Sequence, residues 1–114
     1  MAYNEFLADR IRFVLKDKGV RFEEKKMMGG LCFMVKDKMC AGVEKDKLMA
    51  RIGPEAYEKS LSRKGCREMD FTGRPMKGFV FVEPEGIDTD QDLAYWVQLC
   101  LDFNPKAKSG KKKK

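Results

Sequence analysis

The pattern of apolar and polar residues predicts an α+β protein of two layers, an antiparallel sheet with helices on it, in the order α-β(3-4)-α-β(2)-α. Three observations predict it. The stretch Lys25 to Val43, KKMMGGLCFMVKDKMCAGV, holds two short apolar runs with a Gly-Gly break before the first and Asp-Lys between them, the pattern of a β-hairpin at the centre of a small sheet. Both ends of the chain carry helical periodicity. The apolar runs between them are joined by turns too short for crossover helices, which makes the sheet antiparallel.

Residues 4–18 read as an amphipathic helix. Asn4 caps it, and Leu7, Ile11, Val14 and Leu15 form its apolar stripe with Phe6 beside them. Lys16 and Lys18 complement the dipole in the last turn, and Gly19 ends the helix. Val20 to Met28 (VRFEEKKMM) is expected to be a strand with a solvated middle, hence an edge. Gly29-Gly30 turns the chain into the hairpin strands Leu31–Lys36 and Met39–Glu44. With Asp37-Lys38 as the turn, Cys32, Met34, Ala41 and Val43 share one face, and Leu31, Phe33, Val35, Cys40 and Gly42 the other. Both faces are apolar, so the second needs a cover, either a further layer or a second subunit.

Lys45-Asp46-Lys47 turns into the strand Leu48–Ile52, and Gly53-Pro54-Glu55 opens a helix that runs to about Arg63, where Gly65 follows. Cys66–Phe71 and Phe79–Glu83 read as strands separated by a loop, Thr72 to Gly78. The last helix starts at Thr89, with Asp92 in a capping-box position, and its core stripe is Leu93, Trp96, Val97, Cys100 and Leu101 or Phe103. Asn104-Pro105 stops it. The expected division is a folded domain over 1–104 and a lysine-rich tail over 105–114, too polar to pack and expected to be disordered.

The 114-residue length suits one domain, and no apolar run approaches the roughly 18 residues of a membrane span. The charged, periodic N-terminus is not a secretory leader, so a cytoplasmic protein without membrane contact is expected. The chain has 24 basic and 18 acidic residues, and six of the basic ones are Lys106, Lys108, Lys111, Lys112, Lys113 and Lys114. With those set aside the body is formally neutral. Nonspecific nucleic-acid contact is therefore assigned to those six lysines, and the alternative is a solubilising tail. Four cysteines without a CxxC pair and no histidine argue against a zinc site, and free buried thiols are expected. No metal and no cofactor is expected.

The loop GRPMKG, Gly73 to Gly78, combines two glycines, a proline, Arg74 and Lys77, a set able to offer backbone N–H groups and two cations to an anion. Arg51 and Asp70 join Arg74 and Lys77 as candidate ligand-binding residues. An ordinary strand connection with solvated basic residues accounts for the same letters. It is not a nucleotide-binding phosphate loop, since Ser or Thr does not follow its GK. The numerous methionines suit core filling or an adaptable contact surface. Met27, Met28, Phe33, Val35 and Cys40 are the candidate contacts of a homodimer. Catalysis has little support: the commonest general base is missing with histidine, and adjacent carboxylates such as Glu23-Glu24 face opposite ways on a strand.

The segments KKMMGGLCFMVKDKMCAGV, LMARIGPEAYEKSL, REMDFTGRPMKGFVFV and DLAYWV together resemble the TfoX/Sxy N-terminal domain family, over about Arg10 to Phe103. The resemblance implies a fold similar to type III secretion chaperones, which often pair as dimers. It also implies a link to competence and transcription regulation, in which full-length members act with the cyclic-AMP receptor protein at promoters. Those members carry a second, helical domain; here a lysine tail follows Phe103, so a standalone N-terminal domain is expected. The family supplies no catalytic residues to carry over. Two functions follow: a noncatalytic regulatory or interaction module that binds protein and, through its tail, nucleic acid; or a small enzyme or anionic-ligand-binding domain built on Gly73–Gly78.

Overall fold

The computed structural model describes residues 3–27, 30–68 and 78–106. The elements are α1 (Glu5–Asp17), β1 (Glu23–Met27), β2 (Gly30–Val35), β3 (Lys38–Glu44), β4 (Lys47–Arg51), α2 (Pro54–Leu61), β5 (Cys66–Glu68), β6 (Phe79–Val82) and α3 (Asp90–Phe103). The fold is α+β, with an open six-stranded antiparallel sheet in the order β1-β2-β3-β4-β6-β5.

The helix ends follow local chemistry. Asn4 Oδ1 accepts the Leu7 amide at 3.1 Å, and Thr89 Oγ1 accepts the Asp92 amide at 3.0 Å, each satisfying an amide the helix leaves unpaired. Pro54 occupies the first turn of α2, after Gly53 at φ 89°. A side chain on Gly53 would be strained at that angle and would collide with the Phe103 ring.

The hairpin departs from the expected register. Its turn is Lys36-Asp37, both with positive φ (54° and 66°), and Val35 pairs with Lys38. This is one residue earlier than the expected Asp37-Lys38 turn. A bulge then skips Cys40, so Met34 pairs with Met39 but Phe33 with Ala41. Cys32 faces Gly42, where the expected turn at Asp37-Lys38 would have set it opposite Val43. The bulge lets the consecutive residues Cys40 and Ala41 both join the core beneath the helices, where Leu31, Phe33, Val35 and Val43 also lie. Ala41 and Val43 therefore sit with Phe33, contrary to the expected facial split.

All three helices pack on that one face. Leu7, Ile11 and Leu15 of α1, Tyr57 of α2, and Leu93, Trp96, Val97 and Cys100 of α3 meet strand residues that include Leu48, Ala50, Val80 and Val82. Alternation sends Cys32, Met49 and Phe81 to the opposite face, where they form a second cluster with Met39 and the partly buried Met34 and Phe79. Among the described residues, no helical side chain belongs to this second cluster. The four cysteines, buried or half-buried, are thiols.

Phe6 does not join the α1 stripe. It is 72% exposed. At about 100° per residue, nine positions separate Phe6 from Leu15 by half a turn, so the two point to opposite sides of the helix.

Candidate interaction surface on the first helix

α1 is held down from both flanks. Arg12 donates two hydrogen bonds to Glu24 of β1, at 2.6 and 3.0 Å, and also contacts Asp9 one turn back. The hydrogen bond to Glu24 is the main cause that keeps the Arg12 guanidinium well above its ordinary pKa. On the other flank Arg10 reaches Asp90 at 3.4 Å, and Lys18 donates to Gln98 at 2.7 Å, joining α1 to α3. These polar ties orient the helix so that its remaining face looks outward.

That outward face carries Phe6 and Phe13, at 72% and 69% exposure. Seven residues apart, they project nearly along one line of the helix. Among the described residues neither has a ring or cation partner. Tyr95, the other large exposed apolar residue, is different: the Arg63 guanidinium covers its ring at 4.0 Å. Beside Phe13 a groove of about 400 Å³ runs between α1 and α3, with Val14 and Ala94 in its lining and Asp9, Asp17 and Asp90 along it. Among the described residues no three ligand-type side chains are grouped to hold a metal, so these carboxylates form a polar rim.

The expected site residues fall in several places. Phe33, Val35 and Cys40 are at most 5% exposed and belong to the core under the helices, so they cannot be reached by a partner without unpacking that layer. Met27 is the last residue of β1. Met28, Asp70, Arg74, Lys77, Lys108, Lys111, Lys112, Lys113 and Lys114 lie outside the described residues. Arg51 ends β4, its guanidinium 5.2 Å from the centre of the Phe79 ring and 5.9 Å from that of Phe103, and burial pulls its pKa below the ordinary value. Lys106 is exposed at the end of the short 3-10 turn Asn104–Lys106, beside a cleft of about 210 Å³ that also touches Glu55 and Asp102.

A broader cleft of about 810 Å³ opens between the α1–β1 connection, the hairpin turn and the end of α3. Arg21 and Lys36 on its rim are matched by Glu23 and Asp37, which gives it no charge preference. The periodicity sets Phe6 beside the apolar stripe of α1 and gives Phe13 no role. The signal that finds both is their spacing from each other, together with their offset from Leu15.

A family model described as the TfoX N-terminal domain matches residues 15–104. No curated protein and no solved structure matches the chain. Phe6, Asp9, Arg10 and Phe13 precede the matched span. Because the match takes in every strand, α2, α3 and the last turn of α1, the chain belongs to the TfoX N-terminal domain family.

Proposed function

We propose that the chain is a noncatalytic regulatory module that works by binding another protein through the outer face of α1. The observation that carries this reading is the pair Phe6 and Phe13, exposed at 72% and 69% on one line of a helix that polar ties hold in place from both sides. Aromatic side chains are the usual anchors of protein interfaces, and leaving two of them in water without a partner is unfavourable. Family membership supports a role in transcription or competence regulation. The lysines at 106, 108 and 111–114 add a sequence-independent attraction for nucleic acid to a body whose charges balance.

A photoreactive residue at position 6 or 13 tests the surface. Adducts are expected from both positions in cells, and none from a control at Lys59, which is exposed on α2. Equal labelling from all three would remove α1 as the contact. For the tail, affinity for a duplex of arbitrary sequence should fall steeply with salt, and deleting residues 106–114 should abolish it; unchanged affinity in the truncated chain would remove the nucleic-acid role of those lysines.

A further inference from the structure

We infer that Cys40 and Cys100 form an oxidation site, a dithiol that hydrogen peroxide converts to a disulfide joining α3 to β3.

The β3 bulge aims Cys40 at α3. Ala41 and Val43 lie beneath the helices, and strict alternation with them would send Cys40 to the opposite face of the sheet. The extra residue at the bulge keeps Cys40 on the helix side, and re-aiming a side chain is a common use of a bulge. Cys100 comes down from the buried stripe of α3, which packs on β3 and β4. The two thiols meet there and share a hydrogen bond. Both residues are enclosed, at 1% and 0% exposure. The backbone N–H of Arg51 donates to the Cys100 sulfur, and the Arg51 charge attracts a thiolate at Cys40. An anion formed transiently at either sulfur therefore meets a compensating group.

The other two cysteines are out of reach. Cys32 lies on the opposite face of the sheet, so its side chain points away from that of Cys40. Cys66 is on β5, which β4 and β6 separate from β3. At about 4.8 Å per strand that is roughly 14 Å, twice the Cα separation of about 7 Å that a disulfide can span. Backbone placement thus selects one intramolecular pair.

The chemistry closes on itself. Peroxide is small and uncharged, so a local opening of α3 is enough to admit it. One thiol, deprotonated, attacks a peroxide oxygen and the O–O bond breaks. The departing hydroxide takes up the released proton as water, and the sulfur is left as a sulfenic acid. The second thiol attacks that sulfur, the S–O bond breaks, the S–S bond forms and a second water leaves. The two sulfurs lose two electrons and the peroxide gains them. A sulfenic acid adds one oxygen to the core, a smaller intrusion than a mixed disulfide. The bond then joins positions 60 residues apart, which restricts the unfolded chain and latches α3 to the sheet.

Peroxide treatment of the reduced full chain at low concentration, followed by alkylation and digestion without reductant, tests the site. A linked peptide pair holding Cys40 and Cys100 is expected, lighter by two hydrogens than the separate peptides. The linked chain should melt roughly 10–20 °C above the reduced one, and a thiol reductant should return it. Cys40→Ala and Cys100→Ala should each lose the link while keeping the circular dichroism of the reduced wild type. In at least one of them the remaining thiol should stop at a sulfenic acid that a 1,3-diketone captures. Links through Cys32 or Cys66 instead, oxidation confined to the half-buried Cys66, or two intact thiols at positions 40 and 100 after treatment would each overturn the site. A linked chain that melts below the reduced one would overturn the latch, because the bond would then strain the packing it is inferred to fasten.

Discussion

The inner and outer faces of α1 carry the same class of residue and meet opposite environments. Leu7, Ile11 and Leu15 are at most 4% exposed against the sheet and α3, whereas Phe6 and Phe13 stand about 70% in water. Both faces are apolar and both sit on a helix pinned by Arg12 and Arg10. The inner face is spent on the fold and the outer face stands in water. Stability and association should therefore respond to different halves of one helix.

The largest effect is expected from the inner half. Ile11 is completely buried, and Ile11→Ala leaves a cavity the rigid sheet cannot fill. The expected loss is about 2–5 kcal/mol, read as a shift of the urea midpoint at unchanged slope. A loss below about 1 kcal/mol would mean that the inner face does not carry the fold.

Alkali tests buried thiols on both faces of the sheet, Cys100 under the helices and Cys32 on the opposite side. Burial pushes the Cys32 thiol up to about 11, and it pushes Cys100 well above its ordinary value, with the neighbouring Cys40 adding to the shift. The folded pKa values are raised above the unfolded one, so both states hold the proton at neutral pH and nothing is lost there. Between about 9 and 11 the unfolded chain releases protons that the folded one keeps, and stability falls with a limiting slope of about 1.4 kcal/mol per pH unit for each thiol. Cys32→Ala should remove one thiol's share of that slope, whereas an identical slope in the variant would place the alkaline loss elsewhere.

A smaller effect is expected where α3 ends. Asn104 is 4% exposed and donates its side-chain amide to the Val35 carbonyl at 3.2 Å, while Lys38 donates to the Asn104 carbonyl at 2.9 Å. Asn104→Ala removes the partner of a buried carbonyl, which costs about 1–3 kcal/mol. Asn104→Asp cannot donate to that carbonyl and should do no better; recovery of stability by aspartate would show that the donated bond is not what matters.

Much of this architecture was legible because it rests on strong local signals. Caps at Asn4 and Thr89, glycines at the helix ends and alternating apolar strands each act within a few residues. The hairpin register was not legible, for two physical reasons. Lysine and aspartate occupy the left-handed turn positions where Asn-Gly would have announced a two-residue turn. The bulge at Cys40 then changes the phase of one strand, and alternation alone does not reveal an inserted residue. These two features moved Ala41 and Val43 to the helix side and separated Cys32 from its expected neighbour. The interface expected at Phe33, Val35 and Cys40 depended on treating both hairpin faces alike, but the helices take the face that holds those three. Phe6 was misplaced for a related reason. A residue adjacent to an apolar stripe reads as part of it until its angle to the whole stripe is counted.

The smallest effect on stability is expected from the outer face, and it separates the two halves of α1 most clearly. Phe6→Ser and Phe13→Ser remove side chains that bury little, so each should change unfolding free energy by no more than about 0.5 kcal/mol. Serine has a slightly lower helix propensity than the best helix formers, which works against the variant, and less apolar surface in water, which works for it. A loss of several kcal/mol would assign Phe6 and Phe13 to the fold and dissolve the distinction between the faces.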